Sequence, residues 1–441
     1  MTAAEDTTAG RLTHRRVLAI ALPIVLSNAT IPILGAVDTG VIGQLGLAEP
    51  IGAVGIGAVI LTSIYWVFGF LRMGTSGLVA QARGAHDPGL VGAHLVRALT
   101  IALGIGAVII LIHAPLMAVA FHFAPASAGV EEMARQYLSI RFWGAPATIG
   151  MYALTGWMIA AERTRDVLIV QLVVNILNIG LDLWFVLGLG WGVPGVASAT
   201  LIAEIAGFLF ALYLARKPIR LGLQQAHLFA RGELVRMAQV NTDIMLRTLM
   251  LLTFPLSFMF LSAAQGDVTL AANQVLNQFI ALTAFALDGF AFAAESLVGQ
   301  AIGAKRPDQV RRAAWLASLW GVIGSVVMML VFAVFGGAII DLLTTAPDVR
   351  DEARRYLPYL IAAPVVSIAA WMLDGIFIGA TLTRDMRNAM ALAVLCYAAA
   401  LAILPPIMGE AGLWAALLIL NTSRAIFMWR RYPRVEAAAR G

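Results

Sequence analysis

Leu78–Pro88, LVAQARGAHDP, returns at Leu297–Pro307 as LVGQAIGAKRP. Gln81, Gly84 and Pro88 answer Gln300, Gly303 and Pro307 at one displacement, 219 positions (81 to 300). The same displacement carries Tyr137 and Leu138 onto Tyr356 and Leu357, Gly156 onto Gly375, and Arg165 and Asp166 onto Arg384 and Asp385. Chance supplies one such match, but hardly a constant register across three separated segments. The chain is an internal duplication, and the question becomes what each half is.

Composition answers it. Hydrophobic residues make up 60% of the 441 and charged residues 12%, with a mean hydropathy of +0.86, where soluble domains carry roughly a quarter charged residues. So little charge cannot cover so much apolar side chain in water. Apolar runs recur at about 17–43, 51–80, 92–118, 135–160, 167–188, 194–215, 238–262, 270–298, 313–341, 356–380, 388–406 and 411–429, most of them near the roughly 20 residues that cross a bilayer as helix. The expected fold is an all-α polytopic membrane protein of twelve transmembrane helices. The run after Arg15 and Arg16 contains prolines and an aspartate and precedes many more spans, so it reads as a retained first helix rather than a cleaved signal.

The connections alternate in charge. One set holds Arg83, Arg163, Arg165, Arg216, Lys217, Arg220, Arg231, Arg236, Lys305, Arg306, Arg311, Arg312, Arg384, Arg387, Arg430, Arg431 and Arg434; the other is dominated by Glu131, Glu132, Asp267, Asp348, Asp351, Glu352 and Glu410. The basic set and both termini are expected in the cytoplasm, which also accounts for the net charge of +5 without a nucleic-acid partner. The expected division is a segment 1–16, a six-helix lobe 17–215, a cytoplasmic linker 216–237, a second six-helix lobe 238–429 and a tail 430–441. Six helices is an even number, so the halves run parallel and are related by a pseudo-twofold along the membrane normal. Two such lobes around a cavity suit alternating access.

Ionisable side chains inside spans are the functional candidates, because hydrocarbon penalises them unless they face a cavity or a partner. Asp38 lies between Pro23 and Pro32 on one side and Gly40 and Gly43 on the other, where a helix can bend; the alternative is a carboxylate at the outer interface touching water. In QLVVNILNIGLD, Gln171, Asn175, Asn178 and Asp182 fall three and four apart on one helical face among apolar neighbours. Such a stripe could hold a proton or a small hard cation, or form a hydrogen-bonded seam between helices. The second half lacks these acids, since Asp38 maps to Ser257 and Asp182 to Leu401, but has Asp288 and Asp374, which could bind cation or substrate or pair with Arg247. Trp371, Met245, Met250 and Met259 could line an adaptable apolar cavity, or simply pack between helices as such residues do in any membrane helix.

These segments resemble the multidrug and toxic compound extrusion (MATE) family, within it the DNA-damage-inducible F branch. The resemblance rests on IALPIVLSNATIPILGAVDTGVIGQLG, on the two copies of the opening motif, and on NILNIGLDLWFVLGLGWGVPGVASAT, and covers about 13–430. It implies a bacterial inner-membrane antiporter that exports organic, cationic or amphipathic compounds in exchange for protons or sodium. It also implies cation coupling at Asp38, Asn178, Asp182 and Thr200, and a second cation site at Asp374; the residue pattern adds Asp288 and Asn175 as further candidates for a second cation or substrate site. The matching acid of the seventh helix is hard to place: Asp243 is early and Arg247 deeper, which favours H+ over Na+. The protein is then a monomer among membrane lipids, with no cofactor and no enzymatic activity. The alternative on the same scaffold, an exporter or flippase of a lipid-linked or anionic precursor, has only Arg72, Arg141 and Arg247 to offer. The chain has no GxxxxGK[ST] loop for ATP, and His113 and His122 form no catalytic set.

Overall fold

The computed structural model describes residues 12–44, 46–123 and 127–440; Arg11 and the rest of the segment before it lie outside the described residues. Among them every regular element is helical: α1 (His14–Gly43), α2 (Ala48–Trp66), α3 (Phe70–Gly84), α4 (Pro88–Leu111), α5 (His113–Phe123), α6 (Ala128–Arg141), α7 (Ala145–Ala160), α8 (Thr164–Asp182), α9 (Gly192–Leu214), α10 (Arg216–Leu223), α11 (Arg231–Leu251), α12 (Thr253–Ala263), α13 (Asp267–Gly303), α14 (Pro307–Leu343), α15 (Pro347–Gly379), α16 (Thr383–Met408), α17 (Glu410–Trp429) and α18 (Tyr432–Ala437). Eleven stretches of described residues are long and apolar enough to span a membrane. The twelfth expected span, 135–160, is helical but is not among them. It is built from α6, a 3₁₀ turn at Phe142–Gly144 and α7, and its Arg135, Arg141, Pro146, Thr148, Trp157 and glycines dilute the apolar run. The expected span 92–118 ends early, at Leu111, where the chain turns into α5.

The duplication is visible in the backbone. Among the described residues, the non-glycine positions with positive φ are His86 (56°), Glu162 (56°), Lys305 (53°) and Thr381 (53°). His86 maps onto Lys305 and Glu162 onto Thr381. Each ends a helix in the left-handed conformation, and the next amide reaches back five residues along the chain to cap the carbonyls: Asp87 N to Ala82 O at 3.1 Å, Arg306 N to Ala301 O at 3.0 Å, Arg163 N to Met158 O at 2.8 Å and Leu382 N to Phe377 O at 3.0 Å. Proline then fixes the first turn of α4 and of α14. This is why LVxQAxGAxxP is the most legible piece of the repeat: it is a helix, its stop and the next start.

The helices gather into two compact units, one of Leu26–Arg83 and Asp87–Asn241, the other of the described residues up to Val25, Gly84–His86 and Thr242 onward. The divisions fall inside α1 and inside α11, the first helix of each repeat. The segment 216–237 is itself folded: α10 docks on α4, with Gly92 and Gly222 in backbone contact. A methyl group on Gly92 would sit 2.1 Å from the Pro218 carbonyl oxygen. Arg97 of α4 secures the same segment by donating to the carbonyls of Leu228 (2.5 Å) and His227 (3.4 Å).

Without a hydrophobic drive between helices in lipid, close packing of small residues holds each unit together. A methyl group on Gly156 of α7 would lie 2.4 Å from the Arg72 carbonyl oxygen, and one on Gly375 of α15 2.2 Å from that of Ala291. Arg72 and Ala291 are themselves equivalent positions, so both units use one helix contact. The first unit's core holds Leu78, Leu95, Leu154 and Trp157; the second packs Phe258 edge-on to Trp414 and Phe279 edge-on to Phe332.

Candidate functional site

In the first unit, α8 carries its polar stripe inward and ends at Asp182, immediately before a wide π turn at Leu183–Gly188. Asn178 and Asp182 are completely buried. The Asn178 amide donates to Thr200 Oγ1 of α9 at 3.2 Å, and that hydroxyl donates to the Val196 carbonyl at 2.9 Å. A turn earlier, Gln171 Nε2 donates to Asn175 Oδ1 at 2.8 Å, and Asn175 Nδ2 donates to the Thr30 carbonyl of α1 at 3.4 Å. The stripe therefore stitches α8 to α9 and to α1.

Asp38 of α1 closes the arrangement. Its carboxyl meets that of Asp182, and Asn178 is beside both. The contact is carboxyl to carboxyl, so it is a hydrogen bond only when one of the two holds a proton. Among the described residues, both oxygens of Asp182 and Oδ1 of Asp38 are buried with no N–H or O–H donor. Buried acceptors need a partner, and two adjoining carboxyls are satisfied by a shared proton or by a bound cation. Asp38, Asn178, Asp182 and Thr200 are thus one cluster.

Sequence spacing did not reveal what stands next to it. Arg141, the last residue of α6, donates to both oxygens of Glu204 on α9, at 2.9 and 2.8 Å, and Thr148 donates to the same carboxylate at 3.0 Å. Partners 63 residues apart leave no local signature; the available signal was a lone arginine and a lone glutamate, each in an apolar run. Glu204 also borders a cavity of about 200 Å³ with Thr148, Tyr152, Thr155, Gln171 and Met158. Its lining adds Met151, Val167, Val170 and Val174 to these side chains.

The second unit is built differently. Asp374 of α15 accepts hydrogen bonds from Arg247 of α11 and from Arg424 of α17, the latter at 2.7 Å, all three residues being buried. Arg247 therefore pairs with Asp374. Asp243, the uncertain acid of the seventh span, is held by Arg387 at 2.5 Å and Thr383 at 3.2 Å. Asp288 lies on α13 and is half-buried. Asn175 belongs to the α8 network in the other unit and has no part in an Asp374 cluster. The recess at Trp371 is only about 20 Å³ and is lined by none of Met245, Met250 and Met259. Among the described residues no three His, Cys, Asp or Glu side chains converge as a metal site.

Comparison with known proteins gives this geometry a context. The MatE family model matches the chain twice, at 23–184 and 244–404. DNA damage-inducible protein F of Escherichia coli (strain K12) is 40% identical over 421 residues, 94% of this chain and 92% of that protein. A probable multidrug resistance protein NorM of Bradyrhizobium diazoefficiens is 30% identical over 328 residues, covering 69% and 67%. Among solved structures, a MATE in the bent conformation superposes with a TM-score of 0.87 at 21% identity, covering 96% of this chain and 95% of that one. A MOP superfamily transporter from Pyrococcus furiosus, described as having a binding pocket of reverse polarity, does so with a TM-score of 0.82 at 20% identity, covering 99% of each. Two copies of the family model, together spanning most of a chain that also aligns along nearly its whole length with a relative, leave one conclusion: this multi-pass membrane protein belongs to the MatE family of secondary transporters.

Proposed function

We propose that the protein is an antiporter of twelve transmembrane helices in two six-helix lobes, exporting organic cationic or amphipathic compounds across a bacterial inner membrane in exchange for protons. One observation carries the reading: two carboxyls, Asp38 and Asp182, adjoin in a buried cluster that holds no cationic side chain of its own, only Asn178 and Thr200. A proton there completes a hydrogen bond between α1 and α8, and its loss places two like charges side by side, so protonation changes how firmly the two helices hold together. Pro23 and Pro32 sit in α1, where a missing amide donor makes bending easier, and a MATE of known structure has been captured in a bent conformation. Asn178 and Thr200 position the acid of α8. The cavity beside Glu204 is the place for cargo in this unit, its methionine and valine side chains suited to flat hydrophobic compounds. Both termini face the cytoplasm, where the basic connections lie, and one chain suffices for transport.

The test is uptake of a fluorescent organic cation by proteoliposomes under a pH gradient and, separately, a sodium gradient. Uptake that follows the pH gradient and is lost in Asp38→Asn and Asp182→Asn supports the reading; uptake that follows sodium alone removes the proton from it. A second reading has its own observation. Arg247 and Arg424 give the Asp374 cluster two cations to one anion, a polarity suited to an anionic or lipid-linked precursor, and a MOP superfamily transporter is described as having a pocket of reversed polarity. Transport of an anionic amphiphile with no transport of the cation would favour it.

A further inference from the structure

The second unit carries a groove of about 450 Å³ between α14, α15 and the end of α17, a volume within the range of ligand pockets. Its charged side chains, Arg311 and Glu436, stand with Tyr432 at the mouth; deeper in, the walls are apolar apart from Ser318, with Trp315, Val322, Ile368, Met372 and Ile376. On α14 the groove runs from Arg311 to Val322, a rise of about 16 Å, or roughly half the ~30 Å hydrocarbon core. The antiparallel α15 agrees, with Ile376 near the mouth and Ile368 toward the floor. Gly321 lies against Met372 at the deep end, where a methyl group would be 2.7 Å from the sulfur.

These dimensions describe one leaflet. Trp315 and Trp429 are 60% and 67% exposed, and Trp429 stacks on Tyr432 at 5.7 Å between centroids, the arrangement aromatic residues adopt at a membrane interface. Around the mouth, Lys305, Arg306, Arg311, Arg312, Arg430, Arg431 and Arg434 outnumber Asp308, Asp385 and Glu436. Arg311 and Glu436 hold each other through two hydrogen bonds, at 2.9 and 2.8 Å, yet the Arg311 side chain remains 73% exposed, so its outer edge faces the headgroup layer. Basic residues at this depth attract anionic headgroups.

We infer that the groove holds an acyl chain of an anionic phospholipid of the cytoplasmic leaflet, its headgroup resting against Arg311 and Arg312. This lipid lies between α14 and α15 and abuts α18. It is independent of the coupling cluster, so its failure leaves the transport reading standing.

Bromolipid quenching tests it on the full chain in nanodiscs. Fluorescence from the groove is isolated as the difference between the wild type and a Trp315→Phe/Trp429→Phe variant. At equal mole fraction, chain-brominated phosphatidylglycerol quenches this signal more than chain-brominated phosphatidylcholine. Arg312→Gln/Arg430→Gln, two exposed residues, reduces the preference by up to about fivefold for each arginine removed. Equal quenching by the two lipids shows ordinary annular contact and overturns the proposal, as does a preference untouched by the arginine variant. If tetraphenylphosphonium relieves the quenching and unbrominated phosphatidylglycerol does not, the groove receives organic cations and the lipid assignment is wrong.

Discussion

Asp38, on the first helix, and Asp182, at the last residue of α8, meet carboxyl to carboxyl inside one unit, with Asn178 beside both. Nothing else around them donates a hydrogen bond to Asp182 among the described residues. A structural ion pair would look different, and the same chain supplies the contrast: Arg141 grips both oxygens of Glu204. One acidic site is closed by a guanidinium; the other is the one we propose for a mobile ion.

Removing one partner of the Arg141–Glu204 pair leaves a buried charge with no counterion. Glu204→Gln and Arg141→Met are each expected to lower stability by about 3–5 kcal/mol, whereas the double variant Arg141→Met/Glu204→Leu recovers much of that loss. Thermal unfolding in detergent, followed by intrinsic fluorescence, reads the cycle. Additive losses would show that the two side chains act independently.

The Asp374 cluster predicts an asymmetry. Asp374→Asn strands two buried guanidiniums and should destabilise the protein severely, by about 3–5 kcal/mol. Arg247→Met leaves Asp374 with Arg424 and should be milder. Melting temperatures that rank the other way would mean the acid is not the hub of the cluster.

Gly156 and Gly375 make equivalent contacts, with space for no side chain before the Arg72 and Ala291 carbonyls. Alanine at either position should cost about 1–3 kcal/mol by overpacking and affect its own unit more than the other. Hydrogen exchange of α3 in Gly156→Ala, and of α13 in Gly375→Ala, is the measurement; exchange unchanged in both would refute the close approach.

Outside the membrane, the hydrogen bonds from Arg311 hold the Glu436 carboxyl below the ordinary glutamate range. A depressed carboxyl stabilises the folded arrangement above its unfolded value, about 4.3, and loses that contribution as pH falls through the folded value. The pair is exposed, so the effect is local and screened by salt. Amide exchange across Tyr432–Ala437, corrected for the intrinsic rate, should rise in acid for the wild type. In Glu436→Gln it should be elevated already at neutral pH and insensitive to acid.

Spacing alone exposed the α8 stripe, because residues three and four apart share a face whatever the tertiary fold, and it exposed the turn motif, because a helix stop followed by proline is local chemistry. It offered Arg247 as a partner for Asp374 only as one of several accounts, and it could not join Asp374 to Arg424, 50 residues away, or Arg141 to Glu204. Those pairs depend on which helices become neighbours. Hydropathy also missed the mixed character of α6 and α7, where Arg141 is buried while Glu132, Gln136 and Ser139 are exposed, and a basic connecting segment concealed the docking of α10 on α4.

The most direct test of the coupling claim is proton flux itself. Proteoliposomes containing a trapped pH dye, with no sodium present, are challenged with an organic cation, for the wild type, Asp38→Asn and Asp182→Asn, each confirmed to be folded and to bind the compound. The account predicts a substrate-dependent proton movement opposite to the substrate in the wild type and none in either variant. Substrate movement without proton movement in the wild type, or undiminished proton flux in both variants, would contradict it.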